Sequence, residues 1–139
     1  MISLKDYWGK YATSSDITPE IRANAERLLN KVNRLIAEGE KKGVKFAFNA
    51  ATNSQIGGSG NGGFRPQDCP IGAPQSAHKQ GCAVDLFDPR NEIDHWLNDP
   101  HTMALIVELD IYMEAQIATI GWAHISIKAP RSGRRFFNP

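Results

Sequence analysis

A short apolar run with a carboxylate at its centre constrains the fold of this chain more than any other feature. Residues 82–87 run Cys-Ala-Val-Asp-Leu-Phe and are bounded by Gly81 and Pro89. A run of this length and composition, closed by turn-forming residues, predicts a buried β-strand. An ionised Asp85 inside such a strand is costly unless it is paired with a cation or binds a metal ion. The sequence therefore predicts that other segments supply partners for Asp85.

The nearest candidate partner is His78, which precedes Asp85 along the chain. On a continuous helix this spacing separates the two side chains by about 10 Å, too far to share one ion. We therefore place His78 on a loop that Gly81 turns back toward the strand, since glycine tolerates positive φ angles. Ala83 shares the strand face of Asp85 and is small enough to leave space for a ligand.

Residues 121–127 form a second strand-like run that contains another histidine. Side chains alternate between the faces of a strand, so Trp122, His124 and Ser126 share one face and the apolar residues between them share the other. The first set is expected to face a site, where Trp122 either shapes the wall of a cleft or packs. Two imidazoles and one carboxylate are the ligands of a catalytic zinc site whose fourth position stays open for water.

Residues 76–85 follow the pattern Ser-x-His-x-x-Gly-x-Ala-x-Asp. This pattern resembles that of the zinc D-alanyl-D-alanine peptidase family, the cell-wall carboxypeptidases and endopeptidases whose fold is shared with the Hedgehog signalling domain. Three further segments resemble the family: residues 19–40, predicted to be its leading helix, the Gly-Phe-Arg-Pro segment at residues 63–66, and residues 121–124 of the closing strand. The tail to Pro139 resembles small phage-encoded members, so the likeness spans most of the chain.

The resemblance implies a role for each matching residue. His78, Asp85 and His124 would bind zinc. Arg65 would hold the carboxylate of a peptide substrate or polarise its scissile carbonyl, and Ser76 would form a hydrogen bond near the first ligand or the substrate. The implied activity is zinc-dependent hydrolysis of an amide bond in peptidoglycan peptides, as a carboxypeptidase or an endopeptidase that uses activated water.

The chain departs from the family at one catalytic position. Many members carry a glutamate three residues before the last histidine ligand, where this chain has Gly121. The candidates for the general base are the carboxylates Glu114, Glu108 and Asp110, of which Glu114 is favoured because it ends the helix predicted before the last strand. A water molecule or Asp88 could serve instead. Alternatively, the chain is a catalytically inactive zinc-binding module of a phage or cell-wall-associated protein.

The remaining pattern predicts a single α+β domain over residues 1–139. We expect a small, mostly antiparallel sheet, helices packed against it and a zinc cleft on its open face. Thr18 and Pro19 are typical of a helix start, and apolar residues at three- and four-residue spacing predict an amphipathic helix over residues 19–40. A strand at residues 44–49 and helices at residues 88–98 and 100–116 complete the expected elements. The glycine-rich loop at residues 51–75 is either a flexible turn or the segment that delivers Arg65 to the cleft.

Charge and cysteine usage narrow the function classes. The formal net charge of +1 argues against strong attraction to nucleic acid or to membranes. The basic tail at residues 128–137 is expected to be a solvated rim or a clamp for the anionic cell wall, although basic residues beside aromatics can also bind single-stranded nucleic acid. Cys69 and Cys82 are too few for a disulfide framework and are expected to be free thiols.

Two absences in the sequence bear on location. The chain has no apolar run of about 18 residues and no apolar signal segment at its N-terminus. We therefore expect the protein in the cytoplasm of the producing cell. Separately, we expect it to be a monomer. The resemblance implies an endolysin-like phage product that acts on peptidoglycan stem or cross-link peptides after release through a pore formed by a partner.

Overall fold

A four-stranded mixed sheet lies at the centre of the structure, a computed structural model that describes residues 1–139. The strands are β1 (Ala83–Phe87), β2 (Tyr112–Glu114), β3 (Trp122–Ser126) and β4 (Phe136–Phe137), in the order β1-β3-β2-β4. β3 is antiparallel to both β1 and β2, and β4 is parallel to β2. The predicted α+β class and the small, mostly antiparallel sheet are confirmed at this level.

Four α-helices accompany the sheet: α1 (Leu4–Trp8), α2 (Pro19–Lys41), α3 (Glu92–Leu97) and α4 (Met103–Leu109). The long helix α2 matches the amphipathic pattern. The Thr18 hydroxyl accepts a hydrogen bond from the backbone N–H of Ile21, and Pro19 occupies the first turn, where no N–H is needed. Its apolar stripe is buried in the one hydrophobic core that also holds the inward side chains of the sheet.

Two predicted elements are wrong. Residues 44–49 form no strand, and only an isolated bridge joins Asn49 to Ser54. The helix predicted at residues 100–116 is a short 3-10 helix, Pro100–Thr102, followed by α4, which ends where Asp110 adopts a φ of 52°. The chain then enters β2, where Met113 is buried in the core. Glu114 therefore lies on a strand and not at the end of a helix.

The glycine-rich loop is packed along the outer edge of β1. Gly57 donates a backbone hydrogen bond to the Asp85 carbonyl, and the Asp85 N–H donates to Gly62 at 2.7 Å. A Cβ atom at Gly63 would collide with the carbonyl oxygen of Tyr7, so only glycine fits there. The loop is thus a fixed segment that delivers the next residues, including Arg65, to the face of the sheet.

None of the helices in the structure combines the length and the apolar character that crossing a membrane requires.

Candidate metal centre

Asp85 and His124 lie directly opposite each other on neighbouring strands. The antiparallel register of β1 and β3 pairs these two residues, so their side chains project from the same face. His124 Nδ1 lies 2.9 Å from Asp85 Oδ1. Both residues are buried, and the alternate residues Val84, Leu86, Ala123 and Ile125 enter the hydrophobic core on the other face. The predicted division between a site face and a core face is therefore correct.

His78 reaches the same point from a short 3-10 helix, Ala77–Gln80. Gly81 ends this helix with a φ of 73°, in the left-handed region that favours glycine. A Cβ atom at Gly81 would also come within 2.6 Å of the Ile21 carbonyl oxygen on α2. Both constraints explain why the turn that brings His78 back toward β1 contains glycine.

The orientation of the His78 ring leaves one nitrogen free for a ligand. Its Nδ1 lies 2.8 Å from the Gly63 carbonyl oxygen, which only accepts hydrogen bonds, so Nδ1 carries the proton. The other ring nitrogen, Nε2, faces Asp85 Oδ1 at 3.4 Å. A backbone carbonyl that fixes the tautomer in this way is typical of metal-binding histidines.

The three side chains could bind one metal ion. One donor atom from each of His78, Asp85 and His124 lies within 4.8 Å of the other two, and all three residues are buried. His124 Nδ1 and His78 Nε2 lie 2.9 Å and 3.4 Å from Asp85 Oδ1. No cysteine joins the group, and Cys69 and Cys82 are free thiols.

The environment of Asp85 keeps it ionised. Burial alone would raise the pKa of Asp85, but the charges of the two imidazoles and their hydrogen bonds hold it well below its usual range. An ionised carboxylate is the form that binds a metal.

Arg65 lies beside the carboxylate that joins the two histidines. Its Nη2 is 3.3 Å from Asp85 Oδ2, the oxygen that faces away from the histidines. Its Nε donates to the Asn61 carbonyl at 2.7 Å, and the Asn61 side chain accepts a hydrogen bond from the Tyr11 hydroxyl. The guanidinium is thus held in place by the loop and by the N-terminal segment.

Of the candidate carboxylates for a general base, only Glu114 lies in the cleft. Glu114 Oε1 is 3.9 Å from His124 Nδ1, because β2 is the neighbour of β3 in the sheet. Glu108 pairs with Arg34 on the surface, and Asp110 pairs with Arg135. Asp88 is buried and accepts hydrogen bonds from the first turn of α3.

A cleft of about 590 Å³ is lined by the three grouped residues His78, Asp85 and His124, together with Arg65, Glu114, Ser76 and Trp122. Trp122 is 37% exposed and forms part of the cleft wall. The cleft contains residues that the sequence analysis did not assign to a site: Gln75, Lys128, Arg131 and Phe137. Lys128 had a usable signal, since it continues the alternation of Trp122, His124 and Ser126. Phe137 had none, because its ring meets His124 edge-on only through the parallel pairing of β4 with β2.

The glycine that replaces the expected glutamate has a structural reason. Gly121 has a φ of 95°, and its N–H donates to the Asn91 side chain. A Cβ atom there would meet no neighbour within 4 Å, so the backbone angle alone disfavours a side chain.

Searches of family models, of curated proteins and of solved structures found no match to this chain.

Proposed function

We propose that this protein is a zinc-dependent hydrolase of amide bonds in bacterial peptidoglycan peptides, with a fold like that of the D-alanyl-D-alanine peptidases and the Hedgehog domain. The observation that carries the proposal is a group of three buried ligands, His78, Asp85 and His124, at the base of an open cleft that also holds Arg65 and Glu114. The sequence pattern of residues 76–85 supports the same activity.

Zinc fits the donor set better than magnesium or calcium. Two imidazoles and one carboxylate are typical ligands of catalytic zinc, whereas magnesium and calcium prefer oxygen ligands. When bound, zinc supplies a Lewis acid that polarises a carbonyl group and makes water a nucleophile near neutral pH.

Glu114 is the proton acceptor in this proposal. Its carboxylate lies 3.9 Å from Nδ1 of His124, and its side chain is 20% exposed in the cleft. A base must come within hydrogen-bond reach of the proton that it removes, directly or through one water molecule. From this position Glu114 accepts a proton from the attacking water and then donates it to the leaving amine.

Arg65 stabilises negative charge on the substrate. Its guanidinium makes two contacts within the protein and lines the cleft. It either donates to the oxygen of the scissile carbonyl as charge develops there or holds a substrate carboxylate. Ser76, on the same wall, is placed to form a hydrogen bond with the peptide.

The second candidate is a catalytically inactive zinc-binding module of a phage or cell-wall-associated protein. Gly121 favours it, because the position that holds a catalytic glutamate in many family members has no side chain. Glu114 favours the enzyme, because it places a carboxylate beside the ligands from a different strand.

The experiment is release of soluble peptides from purified peptidoglycan by the zinc-loaded protein, with and without a chelator. We expect release that the chelator abolishes and zinc restores. His78→Ala should be inactive, while His101→Ala, whose side chain is 93% exposed, should keep full activity. Circular dichroism checks that each variant is folded.

Zinc bound at one equivalent without release from several wall types would contradict the peptidase and support the inactive module. Release that persists in the chelator would contradict metal dependence even if His78→Ala failed to fold.

A further inference from the structure

Two cationic side chains in the cleft have no acidic partner. Lys128 and Arg131 line the cleft, and neither forms an ion pair within the protein. The one hydrogen bond of Lys128 Nζ goes to the Gln75 carbonyl, at 3.4 Å.

The backbone holds both residues at defined points. The buried Ser126 hydroxyl accepts a hydrogen bond from the Lys128 N–H and donates one to the Lys128 carbonyl, which fixes the end of β3. Arg131 follows Pro130 in a turn that the Gly133 N–H closes by donating to the Pro130 carbonyl at 2.9 Å. The side chains are exposed, but their starting positions are fixed relative to the cleft.

The charge balance of the cleft favours anions. Its cationic side chains are Arg65, Lys128 and Arg131, against the carboxylates of Asp85 and Glu114. Asp85 already pairs with Arg65. A bound divalent ion would make the cleft more positive, although the whole chain has a net charge of only +1.

We propose that Lys128 and Arg131 form a subsite for a carboxylate side chain of the peptide substrate, so that the protein prefers acidic peptides. Lys128 is four residues beyond His124, which places the subsite at most about 13 Å along the strand from the metal ligands. An extended peptide spans this distance in about four residues, fewer when the reach of the Lys128 side chain is included. This inference rests on the proposed function, since it assumes that the cleft receives a peptide.

The test compares two capped peptides that differ only in one charge. Acetyl-Ala-Glu-Ala-amide, made with L- and with D-glutamate, and its glutamine counterparts are titrated into the isotopically labelled protein at low salt, with zinc and with chelator. We expect the better glutamate peptide to bind about fivefold to tenfold more tightly than its glutamine counterpart, as two partly exposed ion pairs allow. Resonances of Lys128 and Arg131 should shift, and the preference should shrink at high salt.

The matched control lies on the same segment. The double variant Lys128→Ala/Arg131→Ala should lose the preference for glutamate, while Arg134→Ala, an exposed cation outside the cleft, should keep it. Equal binding of the two peptides, no measurable binding of either, or an equal loss in Arg134→Ala would overturn the subsite.

Mass spectrometry of wall peptides incubated with the same zinc-loaded protein shows whether a peptide is cleaved, which separates this inference from the proposed function. Selective binding without cleavage of any wall peptide supports the subsite and contradicts the hydrolase. Cleavage of wall peptides without selectivity for acidic residues supports the hydrolase and contradicts the subsite.

Discussion

At the scale of single residues, Glu114 is the side chain on which the proposed enzyme and the proposed inactive module differ. The residue reaches the cleft because β2 continues the sheet beyond β3, and no other candidate carboxylate does so. Its role can be separated from metal binding, since it is not one of the three grouped ligands.

Replacement of Glu114 by glutamine keeps the shape of the side chain and removes its basicity. We expect Glu114→Gln to lower kcat by about 10²- to 10⁴-fold, the range of general acid–base catalysis. Zinc affinity, measured by competition with a chromophoric chelator, should change little. The control is Glu108→Gln, on the surface pair with Arg34; full activity in Glu114→Gln would assign the proton transfer to another group.

At the scale of elements, a buried carboxylate joins α3 to the connection between β2 and β3. Asp94, on α3, accepts a hydrogen bond from the Thr119 hydroxyl at 3.0 Å, and both residues are buried. Burial raises the pKa of Asp94 to about 7, Asp88 adds to the rise, and the Thr119 hydroxyl opposes it. The folded chain therefore keeps a proton that the unfolded chain loses near pH 4.

This difference gives a pH dependence of stability with a definite sign. The contribution of protonated Asp94 to the free energy of unfolding is fully present below about pH 4 and is lost as the pH rises through about 7. Asp94→Asn does not titrate and keeps an oxygen that can accept the hydrogen bond from Thr119. Its free energy of unfolding should therefore rise relative to that of the wild type between about pH 4 and about pH 7, by up to about 4 kcal/mol. Urea unfolding between pH 4 and 8 measures the gain. The exposed residue Asp68 provides the control Asp68→Asn, and a difference that does not vary with pH would contradict the assignment.

The elements also show what the sequence could and could not predict. Apolar spacing and the Thr18 cap suffice for α2, and the alternation of residues 122–126 suffices for the site face of β3, because both signals are local. Residues 112–114 carry no comparable signal, because β2 is only three residues long. The end of α4 was also unpredicted, because the left-handed conformation of Asp110 is not specified by its sequence neighbours. The position of Glu114 in the cleft therefore depended on long-range pairing. Lys128 at the end of the cleft could have been assigned to the site from the alternation of β3, whereas Arg131 lies beyond the strand and carries no such signal.

At the scale of the whole molecule, the three ligands tie together distant parts of the chain. His78 follows the long loop, Asp85 lies on β1, and His124 lies on β3. An unfolded chain cannot hold these residues together, so a bound metal ion stabilises the folded state.

Zinc at a hundredfold excess over its dissociation constant should raise the free energy of unfolding by about 2.7 kcal/mol, which corresponds to a rise in Tm of roughly 10 °C. Calorimetry with zinc and with chelator measures this shift. The zinc-dependent rise in Tm should be small in Asp85→Asn and complete in His101→Ala. An equal shift in Asp85→Asn would place the stabilising ion elsewhere.

The packing of the glycine-rich loop along β1 also affects how copies of this protein meet. The outer edge of β1 is occupied by the chain's own backbone at residues 55–62, and the opposite edge of the sheet, β4, is only two residues long. Unpaired strand edges are the usual template on which further chains add strands and aggregate. A loop that serves to position an arginine therefore also removes the longer of the two edges on which this sheet could polymerise.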